Sequence, residues 1–89
     1  MRRAAKIDAN QAEIVAALER VGCTVLSLAP MGRGCPDLLV ARGMRTVLLE
    51  VKMPKGRLTP DQVRFLSWWR GEWFIVDSID AALAAMGVG

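Results

Sequence analysis

The chain contains no histidine and no tyrosine among its 89 residues. Their absence removes serine–histidine triads, imidazole bases, histidine metal ligands and covalent tyrosine chemistry together. Any reaction the protein supports has to come from carboxylates, lysine, cysteine or a metal held on oxygen. Cysteine is scarce too: Cys23 and Cys35 are the only two, too few for a disulfide scaffold, and they are expected to be reduced thiols behaving as small hydrophobes. No run approaches the ~18 uninterrupted apolar residues of a membrane span, and the N-terminus lacks the apolar core and small-residue cleavage site of a signal peptide. A cytoplasmic protein without membrane association is therefore expected. No Walker sequence is present, so the loop from Gly32 to Gly34 is not expected to cradle a nucleotide, and no nucleotide cofactor is expected.

What the chain does have is apolar mass and a localised positive charge. Eighty-nine residues support one domain, residues 1–89, with room for one site. Hydrophobic residues make up 53% and mean hydropathy is +0.28, high for so small a domain, which predicts apolar surface that a second copy covers. The net charge is +3, but residues 52 to 70 hold Lys52, Lys55, Arg57, Arg64 and Arg70 against Asp61 alone. A basic surface of this kind suits a polyanion.

The chain opens with a basic tip, Arg2, Arg3 and Lys6. Asp8 and Gln11 have the spacing of a capping box, with Ile7 and Ala12 as a weak staple, which predicts a helix over 9–21 ending at Gly22. Residues 23–29 read as a strand and 30–36, with Pro30, Gly32, Gly34 and Pro36, as a loop. Residues 37–42 and 45–52 read as a hairpin around Gly43-Met44, with glycine first in a type II′ turn. If Arg42 faces Arg45, that register sets Asp37 opposite Glu50. Thr59-Pro60-Asp61-Gln62 is a strong helix start, with Val63, Leu66 and Trp69 as its apolar stripe. A strand from Trp73 to Val76 and a helix capped by Ser78 complete the order α-β-β-β-α-β-α. The class is α+β, a mixed sheet covered by helices. Trp68 and Trp69 point about 100° apart on their helix, so one is left for a partner chain, predicting a homodimer through the second helix or last strand.

Glu50 and Lys52 share one face of an apolar strand, and the hairpin register adds Asp37 to that face. Two neighbouring carboxylates repel when ionised unless they share a proton or bind a cation. Mg²⁺ fits, since it commonly takes one or two carboxylates, keeps several waters and pairs with a substrate phosphate. Asp37 and Glu50 would supply two oxygens and the Val51 carbonyl a third, with Lys52 placed to steady a phosphate or an attacking water.

The string Gly34-Cys35-Pro36-Asp37, the hairpin, Leu49-Glu50-Val51-Lys52 and then Leu58-Thr59-Pro60-Asp61-Gln62 resembles the PD-(D/E)XK nuclease superfamily, whose core is restriction-endonuclease-like. Within it the chain is similar to the small stand-alone VRR-NUC (virus-type replication-repair nuclease) proteins of phages and bacteria. The similarity runs from Asn10 and Glu13 to the strand at Trp73. It implies a Mg²⁺- or Mn²⁺-dependent endonuclease acting on branched DNA, Holliday junctions or flaps, in replication, recombination or repair. It also implies a homodimer working in a bacterial cytoplasm, and products with 5′-phosphates. Carried over residue by residue, Asp37 and Glu50 match the metal ligands, Lys52 the catalytic lysine, Glu13 an acidic residue that assists the metal, and Gln62 the glutamine beside the site. Gln62 is equally the third-position partner of Thr59 in a capping box. Arg33, Lys55, Arg57 and Arg64 are the expected phosphate contacts. A general or restriction-like nuclease without branch preference, and a DNA-binding module without turnover, remain open alternatives.

Overall fold

The computed structural model describes residues 8–89; the basic tip and Ile7 lie outside them. The elements follow the expected order: α1 Gln11–Arg20, β1 Thr24–Ser27, β2 Leu38–Arg42, β3 Arg45–Val51, α2 Pro60–Trp68, β4 Trp73–Val76 and α3 Ile79–Ala85. A single 3₁₀ turn, Ala29–Met31, interrupts the loop after β1. Strand order in the sheet is β1-β2-β3-β4, antiparallel except for the parallel β3–β4 pair. The helix α2 makes the crossover that a parallel pair requires.

The core lies on one face of this sheet. Val47, Leu49 and Val51 alternate onto it and meet Ile14 and Leu18 of α1 and Ala82 of α3. Leu48 and Glu50 turn to the opposite face, yet they too are buried, as befits a central strand with both edges paired. The helix α1 ends in a Schellman arrangement, Cys23 N–H to Leu18 O and Gly22 N–H to Glu19 O. A bidentate pair from Arg45 to Glu72, with a third bond to the Ala85 carbonyl at 2.8 Å, ties β3, the entry to β4 and the end of α3 together.

Four local expectations are corrected. The cap of α1 is Asn10, and the Asp8–Gln11 box does not form; the two residues meet only through Gln11 N–H to Asp8 O at 3.1 Å. The Asn10 amide has a longer-range use, donating to the Lys52 and Asp77 carbonyls at 3.1 Å each. The hairpin turn has positive φ at both central residues, 57° at Gly43 and 70° at Met44. That is the type I′ signature and not type II′, so the right-handed strand twist overrides the preference of Met44 for negative φ. The first strand stops at Ser27 because Pro30 draws the following residues into the 3₁₀ turn. Finally, Val63 and Trp69 are exposed, and Leu66 alone of α2 is buried, so the expected apolar stripe is not a core face.

Candidate active site

The hairpin register runs from Arg42↔Arg45 to Leu38↔Leu49. Its continuation brings Asp37 beside Glu50 at the end of the sheet just before β2 begins. Asp37 Oδ2 accepts the Val51 N–H at 2.7 Å, fixing its carboxylate against β3. On the other side of β3 the Lys52 N–H donates to the Val76 carbonyl at 2.9 Å. Within a trans peptide the C=O opposes the next N–H, so the Val51 carbonyl points away from β4, toward the side of Asp37. Two carboxylates and one carbonyl thus converge at one strand end.

Glu50 is the most constrained of these groups, 2% exposed although charged by nature. Its Oε2 accepts the Gln62 amide N–H at 3.1 Å and lies 3.7 Å from Lys52 Nζ, beyond hydrogen-bond length. Its Oε1 is buried and has no hydrogen-bond partner among the described residues. Burial first, then the adjacent Asp37 carboxylate, push Glu50 up to about 8, while Lys52 pulls the other way. A buried carboxylate oxygen without a donor is costly; a cation removes that cost.

These groups line a cleft of about 410 Å³ whose walls also include Asp8, Arg33, Gly34, Cys35, Thr59, Asp61 and Gln62. Among the titratable lining groups, Asp8, Asp37, Glu50 and Asp61 face only two cations, Arg33 and Lys52. With Glu50 ionised, a phosphate approaching Asp37 and Glu50 would be repelled by both carboxylates unless a metal ion entered with it. Among the described residues no three His, Cys, Asp or Glu side chains are grouped to hold a metal. A cation entering here would meet the two carboxylates, with the Val51 carbonyl on the same side of β3, an open oxygen set of the kind that Mg²⁺ or Mn²⁺ takes together with water and substrate, unlike a closed zinc site.

Other expected site residues divide. Gln62 takes both of its readings: its Oε1 accepts the Thr59 N–H at 2.9 Å in a complete capping box while its Nε2 holds Glu50. Arg33 lines the cleft, and Arg64 lines an adjoining groove beside α2. Lys55 and Arg57 are exposed on the loop between β3 and α2 and do not line the cleft. Glu13 is exposed on α1 and is not brought to the cleft either, because α1 turns Ile14 and Leu18 into the core. The acidic residue that approaches from this end of the chain is Asp8, whose charge also raises Glu50.

Three contributors were not expected. Cys35 lines the cleft, and burial, then Glu50 and Asp37, raise its thiol; Cys23 is packed in the core. Asn10 fixes the backbone of Lys52. Gly34, at φ +79°, lies so close to α2 that an added Cβ would fall 2.3 Å from the Asp61 carbonyl oxygen. Only glycine lets the loop before Asp37 sit on the first turn of the helix that carries Gln62.

No protein-family model matches the sequence, and no curated protein matches it. The structure is similar to a solved VRR_NUC domain, with a TM-score of 0.71 over 90% of this chain and 97% of that one, at 24% sequence identity. The chain therefore has the VRR_NUC fold, and its own carboxylate cleft lies where β2 begins and β3 ends.

Proposed function

We propose that the protein is a Mg²⁺- or Mn²⁺-dependent endodeoxyribonuclease that cuts branched DNA. The observation that carries this reading is the half-buried Asp37 set beside the buried Glu50, with one Glu50 oxygen lacking a hydrogen-bond partner among the described residues, at a cleft that Lys52 also lines. Likeness to a VRR_NUC fold supports the same reading. Asp37, Glu50 and the Val51 carbonyl would hold the ion. When bound, it supplies a Lewis acid for the scissile phosphate and for the attacking water.

The remaining work belongs to the chain. Gln62 keeps the Glu50 carboxylate aimed into the cleft, since its own amide oxygen is locked by the Thr59 cap. Lys52 presents an ammonium whose backbone is held on both sides, by Val76 at its N–H and by Asn10 at its carbonyl. That ammonium would steady the charge that grows on the phosphate during in-line displacement. Arg33 would contact a neighbouring phosphate and set the register of the backbone in the cleft.

Cutting two strands of a symmetric junction suits a two-fold dimer. The outer edge of β4 is where we place its contact: Trp73, Phe74 and Ile75 are 38%, 38% and 45% exposed on an edge strand. Sedimentation should report a dimer that Ile75→Lys weakens.

The activity test compares four-way junction, flap and linear duplex at equal concentration with Mg²⁺, Mn²⁺ or EDTA. Metal-dependent cutting that favours the branched substrates is expected, with Lys52→Ala slower by roughly 100-fold or more. Equal cutting of all three removes the branch preference. Cutting that continues in EDTA, or in Glu50→Ala, removes the site.

A further inference from the structure

On α2 the residues Asp61, Arg64, Phe65 and Trp68 follow the spacing i, i+3, i+4, i+7, which is one helix face. It is not the buried one: Leu66, the buried residue of α2, points about 160° away from Arg64 at 100° per residue. An amphipathic helix usually turns its aromatic residues inward. Here Trp68 is 67% exposed.

This face borders a groove of about 220 Å³ lined by Arg33, Asp61, Arg64, Phe65 and Trp68. Arg33 and Asp61 also line the cleft that holds Asp37 and Glu50, so the groove adjoins it. At its far end Trp68 is shared with a second groove, of about 290 Å³, lined with Trp69, Arg70 and Gly71. The three adjoining hollows thus follow one another from the carboxylates along α2, and together they are called the track. Its rings are organised. Phe65 meets Trp68 edge-on at 5.6 Å and stacks with Trp69 at 6.1 Å, so three aromatic side chains brace each other. Its charge is positive, Arg33, Arg64 and Arg70 against Asp61, which is ion-paired with Arg64.

We propose that this track binds an unpaired DNA strand and delivers its backbone to the cleft. Resting on the nuclease reading, it specifies the substrate as DNA with a single-stranded segment beside the cut. Aromatic faces interleaved with arginines are the combination that bases and phosphates require, and stacking of this kind needs bases free of a duplex. A protein partner is the weaker fit, because interface cores are depleted in charge, whereas here each aromatic lies beside an arginine. The nine residues of α2 span about 14 Å, room for up to about four nucleotides at the ~3.4 Å rise of a stacked strand and fewer for an extended one.

The test uses the full chain in EDTA, so that binding is read without cleavage. Fluorescein-labelled hairpin duplexes, one blunt and one with a four-nucleotide single-stranded tail, are titrated while tryptophan emission is followed. The tailed duplex should bind more tightly and quench emission. Trp68→Ala should cost roughly 5- to 100-fold in tail affinity, Trp68→Phe should recover most of it, and Arg64→Ala should reduce its salt dependence. Equal affinity for the two duplexes, or unchanged tail affinity in Trp68→Ala, overturns the track. So does a Trp68→Ala protein that loses its dimer while each protomer binds the tail as before. Tail binding that depends on Trp68 in a protein that cuts nothing with Mg²⁺ would retire the nuclease reading and leave the track standing.

Discussion

Glu50→Gln removes a buried charge while nearly preserving shape, which makes pH the informative variable. In the metal-free protein Glu50 is held at about 8 against an ordinary 4.5, chiefly by burial and then by Asp37. Between those values the folded chain keeps a proton that the unfolded chain has released. Stability must therefore fall as pH rises from about 4.5 to about 8. The penalty is absent below that window and complete above it. At 1.36 kcal/mol per pH unit the shift sets a ceiling of about 5 kcal/mol. Local relaxation around the ionised group brings the expected loss to about 2 to 4 kcal/mol, a large part of the 5–15 kcal/mol typical of whole domains. In EDTA the parent should lose on the order of 10 to 20 °C of Tm between pH 5 and pH 8.5. Glu50→Gln should be nearly flat over that window, since an amide at this position can still accept from Gln62 and needs no ionisation. Millimolar Mg²⁺ should restore the parent at pH 8.5 and do little for the variant. A parent Tm that is flat or rising from pH 5 to pH 8.5, or a variant that tracks it, would refute the account of Glu50.

Three further substitutions probe how the site is held. Gly34→Ala places a Cβ against the backbone of Asp61 at a positive φ; it should cost about 1 to 3 kcal/mol in urea unfolding and slow cleavage by shifting Asp37 relative to Gln62. Asn10→Ala leaves the Lys52 and Asp77 carbonyls without their amide donor, for an expected loss of about 1 to 3 kcal/mol by the same measurement. Gln62→Glu keeps a residue that completes a capping box but sets a third carboxylate against Glu50. Its far-UV helix signal should match the parent at pH 5 while its EDTA Tm at pH 8 falls below the parent's. Equal Tm values at pH 8 would mean that Gln62 serves the cap alone.

Much of this was legible from short-range patterns. Thr59-Pro60-Asp61-Gln62 specifies its cap locally, and the structure has both of its hydrogen bonds. The juxtaposition of Asp37 and Glu50 followed from counting across a two-residue turn. That count is insensitive to whether the turn is type I′ or II′, so the register held while the turn type did not. Asp8 illustrates the opposite case. Three residues before Gln11 it has the spacing of a capping box, yet Asn10 takes the cap position because its amide can reach the Lys52 and Asp77 carbonyls, 42 and 67 residues away. No local spacing encodes that reach. Gly34 was legible as a loop glycine, but its contact with Asp61 depends on where α2 lands. Glu13 was assigned from resemblance, and the helix rotation that buries Ile14 leaves it exposed.

The placement of Gln62 also explains why a helix with one buried residue stays in place. The face of α2 that carries Arg64 and Trp68 gains nothing from the core, so burial contributes little to holding the helix. Its position rests at the N-terminus: the Thr59–Gln62 box, the Gly34 loop seated on Asp61, and the Gln62–Glu50 bond. All three of these constraints involve groups that line the cleft. A cation neutralising Asp37 and Glu50 would relieve the repulsion beneath Gln62, and with it steady the first turn of α2. A bound metal would thereby be linked to the orientation of the Arg64–Trp68 face through one glutamine side chain.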